Sequence, residues 1–322
     1  MQRLTVVVPA YNESAVLAAF HARLSGVLDA LPLACDVLYV DDGSRDDTWA
    51  IIQSLASADP RAGGLKLSRN FGKEAALTAG LDHVDADAAV VIDADLQDPP
   101  ELIPQLVEQW HNGYDVVYAT RSARAGETGL KRFTSAAFYR AMEVMSDVAV
   151  PRDTGDFRLL SRRALAALSQ LRERQRFMKG LFAWIGYRQT AVNYLRDPRL
   201  AGKTKWNYWR LTQFAIEGIT SFSSAPLKLA TWTGLITAVL AFLYGLKVLF
   251  KALAHGDPVP GYPSLMVVIL FLGGIQLLAL GVIGEYLGRN YNETKQRPLY
   301  FIEDEHVPAS RASFHTRATP PR

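Results

Sequence analysis

Two apolar runs near the carboxyl end limit most strongly what this 322-residue chain can become. Leu229–Phe250 reads LATWTGLITAVLAFLYGLKVLF, with Lys247 as its one charge, and Leu265–Tyr286 reads LMVVILFLGGIQLLALGVIGEY, with Glu285 as its one charge. Each charge stands near the end of its run. Each run is long enough to cross the hydrocarbon core, which takes a helix of roughly 20 residues. A Pro- and Gly-rich connector from His255 to Pro263 separates them. Two such runs in succession read as a membrane hairpin rather than as buried helices of a soluble protein.

The flanks predict an orientation. Lys203, Lys205, Arg210 and Lys228 precede the first run, and Arg289, Lys295 and Arg297 follow the second. The connector has no Lys or Arg, although Lys251 sits at its edge. By the positive-inside rule, both termini and the preceding domain lie in the cytoplasm and the connector lies outside. The expected location is therefore the inner (plasma) membrane. Residues 1–10 read directly as a strand, so no leader peptide is expected. The single Cys35 excludes an internal disulfide and suits a reducing compartment. The net charge is only +3, with its surplus largely in the membrane-proximal part and the tail. That distribution points to anionic lipid head groups and not to nucleic acid.

Upstream, strand-like and helix-like segments alternate. Strands are expected at Leu4–Val8, Val37–Val40, Leu65–Leu67, Ala88–Ile92 and Val116–Ala119. Helices are expected at Ser14–Leu31, Thr48–Ala58, Lys73–His83 and Leu102–Trp110. This order predicts an α/β fold with a mainly parallel sheet covered on both faces. Beyond it come a helix over Leu130–Met145, a polar loop and short strand over Asp153–Leu160, and helices over Arg162–Leu171 and Phe177–Ile185. Arg188–Leu195 reads as extended, and Asn207–Phe222 as an amphipathic helix lying in the membrane interface. The expected division is a catalytic domain over 1–200, a basic and interfacial segment over 201–228, spans over 229–250 and 265–287, a connector over 251–264, a cytoplasmic juxtamembrane segment over 288–305 and a disordered tail over 306–322.

Four strand ends share a chemical theme. They are Pro9-Ala10-Tyr11-Asn12-Glu13, Asp41-Asp42-Gly43-Ser44, Ser68-Arg69-Asn70-Phe71-Gly72-Lys73 and Asp93-Ala94-Asp95. In a parallel sheet these carboxyl ends share one edge, where open α/β sheets bind ligands. Strand alternation places Asp93 and Asp95 on one side of the backbone. Two convergent carboxylates suit Mg²⁺ or Mn²⁺ carrying a diphosphate, because Mg²⁺ is held by one or two carboxylates plus substrate phosphate oxygens. Carboxylates for ribose or base, a tyrosine ring for stacking and a metal for diphosphate together suit a nucleotide-diphosphate ligand.

The segments PAYNE, VDDGSRDDT, SRNFGKEAALTAGL and DADLQDPPE, in this order and spacing, resemble the family 2 glycosyltransferases of the GT-A fold. More narrowly, the chain resembles the polyprenyl-phosphate glycosyltransferases, the group that includes dolichol-phosphate mannose synthase and the bactoprenol glucosyltransferases. The resemblance covers about residues 3–300. It implies a GT-A, Rossmann-like catalytic domain followed by interfacial helices and a two-helix transmembrane hairpin. By match, Pro9, Tyr11, Glu13, Asp42 and Asp93 would hold the nucleotide. Asp93 and Asp95 would meet metal and diphosphate, with Asp95 catalytic, and Gln97 would stand beside the donor sugar.

Arg199, Lys203, Thr204 and Lys205 precede the interfacial helix at head-group height. They read either as a polybasic anchor or as a site for the acceptor's phosphate, with Lys205 the best ligand. The family's usual segment is R-x-x-G-x-S-K, so Thr204 is a departure. Arg121 and Arg132 are further candidates for phosphate or diphosphate contact. The resemblance places Asp156 near the acceptor as a catalytic base, while a structural ion pair with Arg158 or Arg162 is the alternative. A phosphate monoester, with a second pKa of roughly 6, is already dianionic at neutral pH and hardly needs a base.

The reaction so implied is inverting transfer of a hexose, with glucose from a UDP-sugar the first choice, to undecaprenyl phosphate at the cytoplasmic face. The product would serve O-antigen or other envelope modification, and a homo-oligomer is expected. Two other readings compete. A processive polysaccharide synthase carries Q-x-x-R-W and more spans, whereas this chain has Gln175-Arg176-Phe177-Met178 and two. A non-catalytic scaffold or transporter subunit fits poorly, because spans without central charges make a poor translocation path.

Overall fold

The computed structural model describes residues 2–121, 154–174, 176–194, 225–255 and 261–308. It divides into two compact units, one holding all eight strands found among these residues and the other the two long apolar helices.

In the first unit the order is β1 (Arg3–Ala10), α1 (Leu17–Asp29), β2 (Ala34–Asp41), α2 (Thr48–Ala58), β3 (Ala62–Leu67), α3 (Lys73–Asp82) and β4 (Ala88–Val91). A short 3₁₀ turn at Pro100–Leu102 leads into α4 (Ile103–His111), followed by β5 (Val116–Arg121). Next come β6 (Thr154–Ser161), α5 (Arg162–Leu168), α6 (Met178–Trp184), β7 (Gln189–Tyr194) and finally β8 (Ile302–His306). The sheet order is β7-β5-β6-β4-β1-β2-β3-β8.

The central strands are continuous apolar runs because helices cover them on both faces. Leu4, Val6 and Val8 face a core built with Phe20 and Leu24 of α1, Ile52 of α2 and Leu106 of α4. On the opposite face α3 packs so closely that a β-carbon on Gly80 would come within 2.3 Å of Val7 Cγ1. Helix α5 starts where the Ser161 hydroxyl accepts the Ala164 N–H at 3.3 Å, an N-cap bond.

The expected mainly parallel sheet is present, but its order differs from a simple succession. Strand β6 is inserted between β4 and β5 and runs antiparallel to both. Residues 154–161 are therefore a full internal strand and not a loop with a short extension. Residues 288–305, expected as one juxtamembrane segment, are divided between a helix that runs to Thr294 and strand β8. His306, expected to begin a disordered tail, closes β8, and Pro308 is buried.

In the second unit, α7 (Ala225–His255) and α8 (Tyr262–Thr294) pack on each other. Both are longer than the apolar runs within them, and both are long and apolar enough to cross a bilayer. The proposed helices over 130–145 and 207–222 lie outside the described residues, as do Arg132, Arg199, Lys203, Thr204 and Lys205. Arg121 ends β5, and only its backbone is described.

Candidate active site

Parallel pairing of β4 with β1, β1 with β2 and β2 with β3 brings four carboxyl ends to one edge. The loops that follow enclose an open cleft of about 350 Å³. Pro9, Tyr11, Glu13, Asp42, Asp93 and Asp95 all line it, as the sequence predicts. Asn70, Gly72 and Lys73 line it as well and were not among the predicted site residues.

The first two loops are stitched together. Asn12 donates its N–H to Ser44 Oγ at 2.9 Å, and its Oδ1 accepts the Arg45 N–H at 2.8 Å. Glu13 N–H reaches Thr48 Oγ1 at 2.9 Å. Asn12 adopts a left-handed backbone, φ 55°, and Tyr11 beside it keeps 38% of its surface open to the cleft. A ring exposed in this way is available for stacking.

Asp42 builds a wall rather than offering a bare carboxylate. Its two oxygens accept the N–H groups of Phe71 at 2.7 Å and Gly72 at 3.0 Å. Burial raises its pKa, and these two hydrogen bonds oppose that rise. The adjoining turn requires glycine at Gly43, where φ is 64° and a β-carbon would stand 2.5 Å from the Arg69 carbonyl carbon.

Strand β4 ends at Val91, so Asp93 and Asp95 both lie beyond it, Asp95 in the turn that starts at Ala94. The alternation expected to place them side by side therefore does not operate. The turn itself brings both into the cleft. Leu96, only 3% exposed, is fixed in the left-handed region at φ 59° and redirects the chain. Strain of this kind gathers at functional sites. Asp95 Oδ1 accepts the Gln97 N–H at 3.1 Å, and Gln97 itself is buried outside the cleft lining.

The least expected feature is Lys73, the first residue of α3. Its Nζ lies 2.7 Å from Asp93 Oδ1 and 2.6 Å from Asp156 Oδ2. Asp156 reaches this place because β6 runs antiparallel: Val91 pairs with Arg158, so the strand's beginning lies beside the end of β4. Burial alone would raise the Asp156 pKa, but the charges of Lys73 and Lys179 hold it well below the ordinary carboxylate range. In turn, burial would lower the Lys73 pKa, and Asp93 and Asp156 raise it instead. Of the two arginines expected as partners, Arg158 adds its charge to those that keep Asp156 ionised, although its hydrogen bonds go to backbone carbonyls. Arg158 donates to the Gly155 carbonyl at 2.9 Å and lies over the Phe182 ring, while Arg162 faces Asp85 and Asp87. Burial and the Asp156 charge push the neighbouring Glu74 carboxyl up to about 7.

The donor set can be tested for a divalent cation. Among the described residues no cluster of three or more His, Cys, Asp or Glu forms a cage. Two carboxylates on an open cleft suit Mg²⁺ or Mn²⁺ completed by substrate phosphate oxygens and water, which is how Mg²⁺ is usually held.

A cleft of this construction on a mixed, mainly parallel sheet matches a known class: residues 5–169 correspond to Glycosyl transferase family 2, and the chain belongs to that family. Its fold is accordingly the expected GT-A arrangement. Residues 225–289 correspond to the GtrB C-terminal hairpin. The uncharacterized glycosyltransferase sll0501 of Synechocystis sp. is 52% identical, covering 94% of this chain and 95% of its own length. The bactoprenol glucosyl transferase of Shigella phage SfV is 46% identical, covering 94% and 99%. The glucosyl-3-phosphoglycerate synthase of Mycobacterium tuberculosis, crystallised with Mn²⁺, UDP and phosphoglyceric acid, is 22% identical. It covers 68% of this chain and 76% of its own, with a TM-score of 0.44.

Proposed function

We propose that this glycosyltransferase moves a hexose, glucose in the first instance, from a nucleoside diphosphate sugar to a polyprenyl phosphate at the cytoplasmic membrane face. The single observation that carries the reading is the cleft itself, where Tyr11, Asp42 and the Asp93/Asp95 pair meet at the carboxyl edge of the sheet. A hairpin long enough to span a bilayer accounts for the lipid acceptor, and relatives named bactoprenol glucosyl transferases make the same choice of acceptor and sugar.

In this reading Tyr11 stacks on the base, and Glu13 with the Asp42-anchored loop holds the nucleoside. Asp93 and Asp95 would hold Mg²⁺ or Mn²⁺, which supplies Lewis-acid stabilisation to the departing diphosphate. Gln97, whose N–H fixes Asp95, orients that carboxylate from outside the cleft. The acceptor phosphate attacks the anomeric carbon opposite the leaving group, which inverts that centre. Its own charge makes it a competent nucleophile. Asp156, kept ionised by Lys73, therefore acts by placing the ammonium and not by taking a proton.

Arg121, Arg132, Arg199, Lys203, Thr204 and Lys205 are assigned to the acceptor's phosphate. Both termini face the cytoplasm, the lipid-linked sugar feeds envelope glycan modification, and the protein works as a homo-oligomer. The test offers purified full-length protein labelled UDP- and GDP-sugars with undecaprenyl phosphate and Mg²⁺ or Mn²⁺. A lipid-extractable product with UDP-glucose is expected, and no product with any donor would overturn the proposal.

A further inference from the structure

The outer edge of β3 is closed by a segment that neither family correspondence reaches, since these end at residues 169 and 289. Strand β8 pairs antiparallel with β3, Leu65 opposite Glu305 and Leu67 opposite Ile302. Lys66 Nζ lies 3.3 Å from Glu303 Oε1. Tyr300 donates its hydroxyl to Asp82 at 2.9 Å, at the far end of α3 from the cleft. Pro308 lies so near Gly63 that a β-carbon there would come within 2.4 Å of the proline Cδ.

Capping a sheet edge requires only the paired residues. The contacts continue past them. The carbonyl of Phe301 accepts the Ser68 N–H at 2.9 Å, and its ring meets the Phe71 ring with centroids 6.3 Å apart. Arg69 also lies over the Phe71 ring, at 4.0 Å. This loop is the one whose Asn70 and Gly72 line the cleft and whose Phe71 and Gly72 N–H groups grip Asp42. The residue that Phe301 touches with its ring is thus the residue whose backbone supplies the 2.7 Å bond to Asp42.

We propose that Phe301, which lies beyond the membrane hairpin in sequence, is a positioning residue for the nucleotide: it braces the 68–72 loop and through it Asp42. The inference rests on the cleft binding a nucleoside diphosphate. Displacing the Phe71 ring moves a donor that shapes the pocket, so the effect should appear in donor affinity and not only in stability.

The test uses full-length protein in detergent and measures UDP affinity calorimetrically, together with donor KM, kcat and Tm, for Phe301→Ala, Phe301→Tyr and Tyr300→Phe. Phe301→Ala should weaken UDP binding and raise donor KM about tenfold, with kcat at saturating donor little changed, as for a misplaced positioning group. Phe301→Tyr should restore both. Tyr300→Phe, which loosens the same segment away from the loop, should lower Tm and leave UDP affinity as it was. Should Phe301→Ala fail to fold, Phe301→Leu carries the same expectation at smaller size. Equal loss of Tm in Phe301→Ala and Tyr300→Phe with unchanged UDP affinity would overturn the proposal and leave an edge cap. Wild-type protein that binds neither UDP nor GDP would overturn the nucleotide reading beneath it.

Discussion

Asp93 and Asp156, far apart in sequence, are joined by one ammonium: Lys73 Nζ lies within 2.7 Å of an oxygen of each. If Asp93 is a metal ligand, a divalent cation and Lys73 contend for the same carboxylate. Lys73→Met should then bind Mn²⁺ more tightly, by about tenfold, a modest effect for one neighbouring charge on a carboxylate. Electron paramagnetic resonance of free Mn²⁺ measures this directly. Unchanged or weaker binding would mean that the lysine and the metal occupy separate places.

The Gln97 N–H, bound to Asp95 Oδ1 at 3.1 Å, aims the Asp95 carboxylate. Asp95→Asn keeps that acceptor and removes the charge. Transfer should fall roughly 100- to 1,000-fold, the size of effect expected for one electrostatic contact to a transition state. Chelation by EDTA should abolish transfer, and added Mg²⁺ or Mn²⁺ should restore it. Full activity in EDTA-treated protein would exclude the metal role.

Glu74 yields a prediction about pH. Burial first, and then the Asp156 charge, push its carboxyl from an ordinary 4.5 up to about 7. Between these values the folded protein keeps a proton that the unfolded chain has lost, so stability falls as pH rises through that window. Glu74→Gln still offers an acceptor to the Met178 N–H. It should raise Tm relative to wild type at about pH 8 and leave it unchanged at about pH 4, where both forms of residue 74 are neutral. Differential scanning fluorimetry at the two pH values decides it; equal shifts at both would disprove the assignment.

The membrane topology can be read with cysteine chemistry. The single Cys35 is 8% exposed, and burial pushes its thiol up to about 11, so little thiolate forms at neutral pH. Pro258→Cys in the connector should therefore react with an impermeant maleimide on spheroplasts against a low background. Labelling that requires lysis would place the connector in the cytoplasm and reverse the orientation.

What the sequence made legible, and what it concealed, follow from the same physics. The apolar runs of β1, β2 and β4 and the polar loops after them are local signals, and they located Pro9, Tyr11, Glu13, Asp42, Asp93 and Asp95. Strand order and direction are not local. Nothing in Thr154–Ser161 announces that it runs against its neighbours, yet that direction is what carries Asp156 to Lys73. Lys73 ends the polar Ser68–Lys73 segment, and only the arrival of Asp156 beside it distinguishes it from an ordinary surface lysine. The turn that gathers Asp93 and Asp95 depends on a left-handed leucine, a conformation that residue type does not signal. Strand β8, Ile302-Glu303-Asp304-Glu305-His306, is mostly solvent-facing and acidic, so it carries no hydrophobic pattern to betray a strand. Its partner is also remote, and only the opposite charge of Lys66 hints at the match.

The place of β8 in the chain has a consequence for biosynthesis. A ribosome makes β3 early, yet the strand that completes its outer edge emerges only after both apolar helices have been translated. Throughout that interval the nascent sheet presents unpaired backbone donors and acceptors beside a membrane, a template on which other chains can pair. A message truncated anywhere between the hairpin and Ile302 would fix that interim state permanently. It would yield a protein with its anchor intact and one edge of its sheet left open.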